Sequence, residues 1–107
     1  MPRDIIYFDL ETQRTANDAG GWQRKCDMRM SVGVIFSTAT GRYEVYREER
    51  VNDLVDRLRR ADLVVGFNVL NFDYHVLMGY TILDLAAELP TADLMVDVEK
   101  RLGHRLG

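Results

Sequence analysis

The chain has 107 residues, 47% hydrophobic and 29% charged, a composition that excludes intrinsic disorder and collagen-like repeats. That length holds one domain with a single core, residues 1–107, and no apolar run approaches the roughly 20 residues of a membrane span. Net charge is -3, from 14 basic and 17 acidic residues, so the strongly basic balance typical of nucleic-acid binders is absent; a site that acts on phosphates through metal ions, however, carries acidic residues at its centre.

Ile5 to Leu10 is a short, mostly apolar run and predicts a buried strand. Gln13 to Arg29, with Asn17, Asp18, Gly20 and Gly21, is too polar for core and reads as a long loop. Val32 to Ser37 and Tyr43 to Tyr46 read as a hairpin turning around Gly41. Val51, Leu54, Val55, Leu58 and Ala61 repeat at helical spacing, and Asn52 and Asp53 suit a helix start. Arg57, Arg59 and Arg60 fall off that stripe, which places them on a solvated face. Leu63 to Phe67 reads as a central strand. Asn71 is placed to cap a helix from Phe72 to about Met78, with Gly79 as its stop. Ile82 to Leu89 predicts a short helical stretch ended by Pro90, Ala92 to Val96 a short strand or extended segment, and Val98 to Leu102 the start of a helix with Gly103 just past it. A hairpin followed by αβα units predicts an α/β fold, a mixed sheet with flanking helices.

Two further features bear on location and chemistry. The opening Met1-Pro2-Arg3-Asp4 has no signal-peptide pattern, and the one cysteine, Cys26, cannot form an internal disulfide, so a reducing, cytoplasmic setting is expected. Twelve of the fourteen basic residues are arginine, which suits phosphate contacts, although a codon bias gives the same count.

The most informative segment is Tyr7-Phe8-Asp9-Leu10-Glu11-Thr12. Residues i and i+2 of a strand share a face, so Asp9 and Glu11 point the same way at the end of an apolar strand. Like charges this close raise each other's pKa unless a cation lies between them. Mg²⁺, which takes oxygen ligands from one or two carboxylates and from substrate phosphates, resolves the conflict. The same pair also fits the solvent-exposed end of a strand. A second segment, Val64 to Leu77, runs from a buried strand into a helix and carries Asp73 in the first helical turn, where the helix dipole favours a carboxylate.

Phe8-Asp9-Leu10-Glu11-Thr12 resembles the first exonuclease motif of the DEDD 3′-5′ exonucleases, and Gly66-Phe67-Asn68 through Asn71-Phe72-Asp73 resembles the second. These enzymes have the ribonuclease H-like fold. Within them the chain is similar to the YprB-like group of exonuclease domains, found alone or attached to helicases. The Gly20-Gly21-Trp22 loop and the segment Leu102-Gly103-His104-Arg105-Leu106-Gly107 share that likeness. The resemblance implies hydrolysis of phosphodiester bonds at the 3′ end of single-stranded DNA or RNA by two Mg²⁺ or Mn²⁺ ions. It implies that Asp9 bridges the ions, Glu11 binds one and aligns water, and Asp73 holds the other. Thr12, Asn68 and Phe72 match positions near the bound nucleotide.

The family's fourth carboxylate belongs to a later motif on a C-terminal helix, and this sequence has no match to it. Asp84, Asp93 and Asp97 are the remaining acidic candidates, and His75 and His104 the candidates for positioning water. Three carboxylates leave two divalent ions over-charged, so the second ion is expected to bind weakly without substrate phosphate. The absent helix is expected to leave apolar surface on one face of the sheet, a site of self-association or partner binding, or a liability. The expectation is therefore an exonuclease domain that is catalytically incomplete: a fragment of a longer protein or truncated gene product, or else a shortened protein that pairs with itself or a partner. The alternatives are a non-catalytic nucleic-acid-binding or protein-interaction module of the same fold, and a structure-specific endonuclease.

Overall fold

A computed structural model describes residues 3–15 and 20–103. Its centre is a five-stranded sheet formed by β1 (Ile5–Thr12), β2 (Met30–Ser37), β3 (Arg42–Arg47), β4 (Leu63–Gly66) and β5 (Thr91–Asp93), in the order β3-β2-β1-β4-β5. The first three strands form an antiparallel meander, while β4 and β5 run parallel to β1. The mixed α/β sheet read from the element order is found. Each parallel strand is reached through a helical crossover, as parallel pairing demands: α1 (Val51–Arg59) leads to β4, and α2 (Tyr74–Leu77) with α3 (Leu85–Glu88) leads to β5. The last element is α4 (Leu94–Leu102), closed by Gly103 in the left-handed conformation at φ 75°, as its sequence position suggested. Among the described residues no helix is long and apolar enough to cross a membrane.

β1 alternates cleanly. Ile6, Phe8 and Leu10 are buried, while Tyr7, Asp9 and Glu11 face out. It is thus covered on one face only, and it runs past Leu10 to include both Glu11 and Thr12. The covered face packs against Leu54, Val55 and Leu58 of α1 and Tyr74, Val76 and Leu77 of α2, with Leu85 and Leu89 completing the core. The opposite face carries the row Tyr43, Phe36, Tyr7 and Val65, paired across β3, β2, β1 and β4, and a second row of Val45, Val34 and Asp9. It stays open: Tyr7, Tyr43 and Val45 are 50%, 74% and 57% exposed. A groove of about 450 Å³ on this face is bounded by Tyr7, Phe36, Tyr43, Val34 and Asp9. Apolar surface on one sheet face was expected, and here it adjoins Asp9.

Several local readings need correction. The segment read as a loop from Gln13 to Arg29 contains a 3-10 helix, Trp22–Met28. Phe67 lies outside β4 and is 56% exposed, because the chain turns away from the sheet at Gly66. Arg57 is not on a solvated face. It is buried, with Nη1 2.7 Å from Asp4 Oδ2 and Nε 3.6 Å from Glu44 Oε2. The core-facing side of β3 and the residue before β1 supply these acids, and the apolar stem of an arginine packs where its head is paired. Asn71 does not cap a helix. A wide π-type turn, Val69–Asp73, leads straight into α2, and the residue at its entry is Asn68. Gly79 follows α2, but its role is close approach: a Cβ there would lie 2.6 Å from the carbonyl oxygen of Cys26. His104 and the segment 104–107 lie outside the described residues.

Gly66 closes β4 where a side chain has no room. A Cβ would lie 2.3 Å from Val69 Cγ1 and 2.9 Å from the carbonyl oxygen of Phe8. The second contact is backbone and cannot move without disturbing β1. Gly66→Ala is therefore expected to cost about 2 kcal/mol through overpacking, measurable as a lower urea midpoint. A change under about 0.5 kcal/mol, the range of ordinary surface substitutions, would show that the turn adapts freely.

Candidate functional site

Parallel pairing of β1 with β4 runs from Ile5–Leu63 to Tyr7–Val65 and stops there, while β1 continues. Beyond Gly66 the two chains diverge, and a fork opens beside the last half of β1. The π turn crosses this fork and carries Asp73 into it. Asp73 is 4% exposed. The Leu10 amide and its own amide lie near the carboxylate and favour its ionisation. Burial and the charge of Asp9 outweigh them, and Asp93 adds a smaller push, so the Asp73 carboxyl is raised to about 7.

Asp9 and Asp73, which come from opposite ends of the sequence signal, are therefore brought within electrostatic reach of each other. Glu11 is exposed two residues beyond Asp9 on the same face of β1. A shift in the β1–β2 register falls between Glu11 and Thr12. Among the described residues, no three carboxylate, imidazole or thiol groups are arranged to hold a metal ion together. What the fork does contain is a buried carboxyl whose ionisation is disfavoured first by burial and then by the charge of Asp9. A cation is the partner that relieves such a conflict.

The remaining sequence candidates have distinct surroundings. Thr12 is half-buried and its hydroxyl donates to the Arg14 carbonyl at 3.0 Å. Asn68 holds the left-handed conformation, φ 60°, which asparagine tolerates better than most residues, and its amide donates to Asp93 Oδ1 at 2.9 Å. Phe72 is half-buried and packs between Met28 and the main core. His75 is exposed on α2. Asp84 caps α3 by accepting from the Ala87 amide at 3.3 Å. Asp97 is exposed in the first turn of α4.

Two features escaped the sequence reading. Asp93 is buried, and its oxygens accept from three backbone amides, those of Asn68, Leu70 and Met95. The available signal was an aspartate directly before the helical stripe Leu94, Val98 and Leu102. The second is a network beyond the end of β1. Glu48 Oε2 accepts from Arg29 Nε at 2.8 Å and from the Tyr80 hydroxyl at 2.6 Å, and the Tyr80 oxygen accepts from the Met30 amide at 2.9 Å. The Arg29 guanidinium also stacks 4.7 Å from the centre of the Tyr80 ring. The hydrogen bonds from Tyr80 and Arg29, with the Gln13 side chain nearby, hold the Glu48 carboxyl down at about 2. Gln13 and Arg14 in turn donate their amides to the carbonyls of Arg29 and Met28, so this network fixes the backbone that follows Glu11 and Thr12.

A second groove, of about 460 Å³, lies among Asp56, Arg59, Arg60 and Glu88. It mixes charges of both signs, and none of the candidate residues lines it.

No protein-family model matches the chain, and no curated protein does. Among solved structures the chain is similar to the family B DNA polymerase from the hyperthermophilic archaeon Pyrobaculum calidifontis, with a TM-score of 0.63 at 19% identity. The match covers 91% of this chain and 16% of that chain, so this chain corresponds to a small part of the polymerase. At such identity the likeness is one of fold. Strand order, mixed pairing and helical crossovers together make an α/β domain compatible with the ribonuclease H-like fold, and the same arrangement occurs within a DNA polymerase.

Proposed function

We propose that the chain is a metal-dependent nuclease domain of the YprB-like exonuclease group, acting on the 3′ end of single-stranded DNA or RNA. Asp9, Glu11 and Asp73 are its metal carboxylates. The observation that carries this reading is Asp73, buried in the fork beside β1 with its carboxyl raised to about 7 by burial and by the charge of Asp9. Mg²⁺ is commonly held by one or two carboxylates together with substrate phosphates, not by an all-protein cage. A pair such as Asp9 and Asp73 fits an ion that is completed by a nucleotide phosphate. The bound ion supplies charge neutralisation and an activated water. Thr12, Asn68 and Phe72 border the nucleotide in this reading. Asp93 is engaged by backbone amides on both oxygens and Asp84 on one, and neither is among the metal carboxylates of this reading. A helicase partner follows from the same group likeness.

Metal binding is the direct test, because hydrolysis also depends on that fourth group. Mn²⁺ is expected to raise the thermal unfolding midpoint at about pH 8, and to do so more strongly with thymidine monophosphate present. Asp9→Asn should weaken Mn²⁺ binding by at least about tenfold, since it removes a charge that the ion would neutralise. Equal Mn²⁺ responses in both proteins would remove the basis of the proposal. Where cleavage occurs, mononucleotide release from linear but not circular single strands marks an exonuclease.

The second reading is a non-catalytic nucleic-acid-binding or protein-interaction module. It is favoured by one observation: among the described residues no three ligands meet. Salt-dependent binding of a single-stranded oligonucleotide, indifferent to Mn²⁺ and to Asp9→Asn, would select it.

A further inference from the structure

We infer that Asp93 is a positioning residue: its buried carboxylate anchors the turn between β4 and α2 and thereby sets where Asp73 meets β1. The inference rests on the reading of Asp9 and Asp73 as a cation site, and its test contains an arm that does not.

Asp93 is the last residue of β5 and is 4% exposed. Oδ1 accepts from the Asn68 amide at 2.9 Å and from the Met95 amide at 3.0 Å. Oδ2 accepts from the Leu70 amide at 3.0 Å. The Met95 bond is an ordinary helix cap for α4. The other two are not. They reach back across 25 and 23 residues to the entry of the π turn, where amides have no acceptor within their own helix. A single carboxylate thus joins the start of α4 to the start of the segment that carries Asp73.

From that anchor the path to Asp73 is short and internally bonded. The Phe72 amide donates to the Asn68 carbonyl at 3.0 Å, and the Tyr74 amide donates to the Val69 carbonyl. Asn68 stands at φ 60°, a conformation that costs free energy in an L-residue and persists where its surroundings hold it. The Asp93 bond to the Asn68 amide is such a restraint. At the far end of the turn, the buried Asp73 carboxylate lies beside the Leu10 amide, which favours its ionised form. Both Asp93 oxygens are engaged by amides, so the group acts on the site through the backbone and not as a ligand.

Asp93→Ser separates the two duties, because serine retains a cap for α4 but cannot also reach the Leu70 amide. Asp93→Asn is the second variant. It keeps the shape and turns a donor toward one of the amides. Asp84→Ala, which removes the cap of α3, serves as the control for stability loss alone. The metal-free readout is hydrogen exchange at the Leu10, Asn68 and Leu70 amides. Faster exchange at all three is expected in both Asp93 variants, beyond their change in global stability, and not in Asp84→Ala. In the Mn²⁺ titration the Asp93 variants should bind about 10-fold more weakly, the lower end of what outer-shell partners contribute to metal sites. An unchanged Leu10 amide would overturn the inference, as would unchanged Mn²⁺ affinity in variants whose Asn68 and Leu70 amides have become labile. If wild-type protein binds no Mn²⁺ while the Leu10 amide still responds, the nuclease reading fails and the mechanical role of Asp93 stands.

Discussion

The metal-free protein is expected to lose about 3 kcal/mol of stability between about pH 5 and about pH 8. The source is Asp73, whose carboxyl is pushed up to about 7 in the folded state by burial first and by Asp9 second. In the unfolded chain an aspartate ionises near about 3.9. Between those values the folded protein holds a proton that the unfolded chain has released. Stability therefore falls as pH rises, and the contribution is gone once pH passes the folded value. Most carboxylates act in the opposite sense. Asp4, held below its usual range by the Arg57 hydrogen bond, and Glu48, held at about 2 chiefly by its Tyr80 hydrogen bond, lose their contributions only as pH falls through those lower values. Above about pH 5 those two carboxylates therefore no longer contribute to the slope. Urea unfolding at constant ionic strength measures the slope, and Asp73→Asn should flatten it. A wild-type profile that is flat or rises through this window would show that Asp73 ionises freely. Mn²⁺ added at the alkaline end should restore part of the loss, because a cation favours the ionised form.

Arg57→Ala is expected to cost about 4 kcal/mol. The Arg57 and Asp4 side chains are only 9% and 18% exposed, and the pair meets at 2.7 Å. Asp4 also accepts from the Ser37 hydroxyl at 2.6 Å, and its amide donates to Asp62 Oδ2 at 2.7 Å, so it joins β1, β2, α1 and the approach to β4. Truncating the arginine leaves a largely buried carboxylate without its counter-charge, and it also opens a gap beside Glu44. Arg57→Met retains the stem and separates packing from charge. The urea midpoint at neutral pH reports both. A loss under about 1 kcal/mol for Arg57→Ala would place the pair with solvent-screened surface ion pairs.

The parts of this molecule that were legible in its sequence are those governed by local periodicity. The β2–β3 hairpin around Gly41 and the α1 stripe of Val51, Leu54, Val55 and Leu58 follow from patterns within a dozen residues. Arg57 shows where periodicity misleads. It lies off the apolar stripe, yet the acids that bury it come from residue 4 and from β3, which no local window reveals. The turn after β4 shows the same limit in backbone form. Asn71 reads as the helix starter, but the turn begins at Asn68, whose amide is held by an aspartate 25 residues downstream. Asp9 and Glu11 were readable as one strand face. The approach of Asp73 to Asp9 depends on the parallel register of β1 with β4, and the sequence suggested it only through the family resemblance.

The π turn ties the chemistry of the fork to chain length. Such a turn corresponds to one extra residue inserted into an α-helix. Excising one position between Asn68 and Phe72 would let the backbone relax to ordinary helical spacing, and each residue removed swings the downstream chain by roughly 100° about the helix axis. Asp73 would then leave its buried place beside β1 while every acidic side chain of the site was still encoded. A single-codon deletion in this stretch should thus be more damaging than most substitutions, and libraries that vary residue identity alone will not sample it.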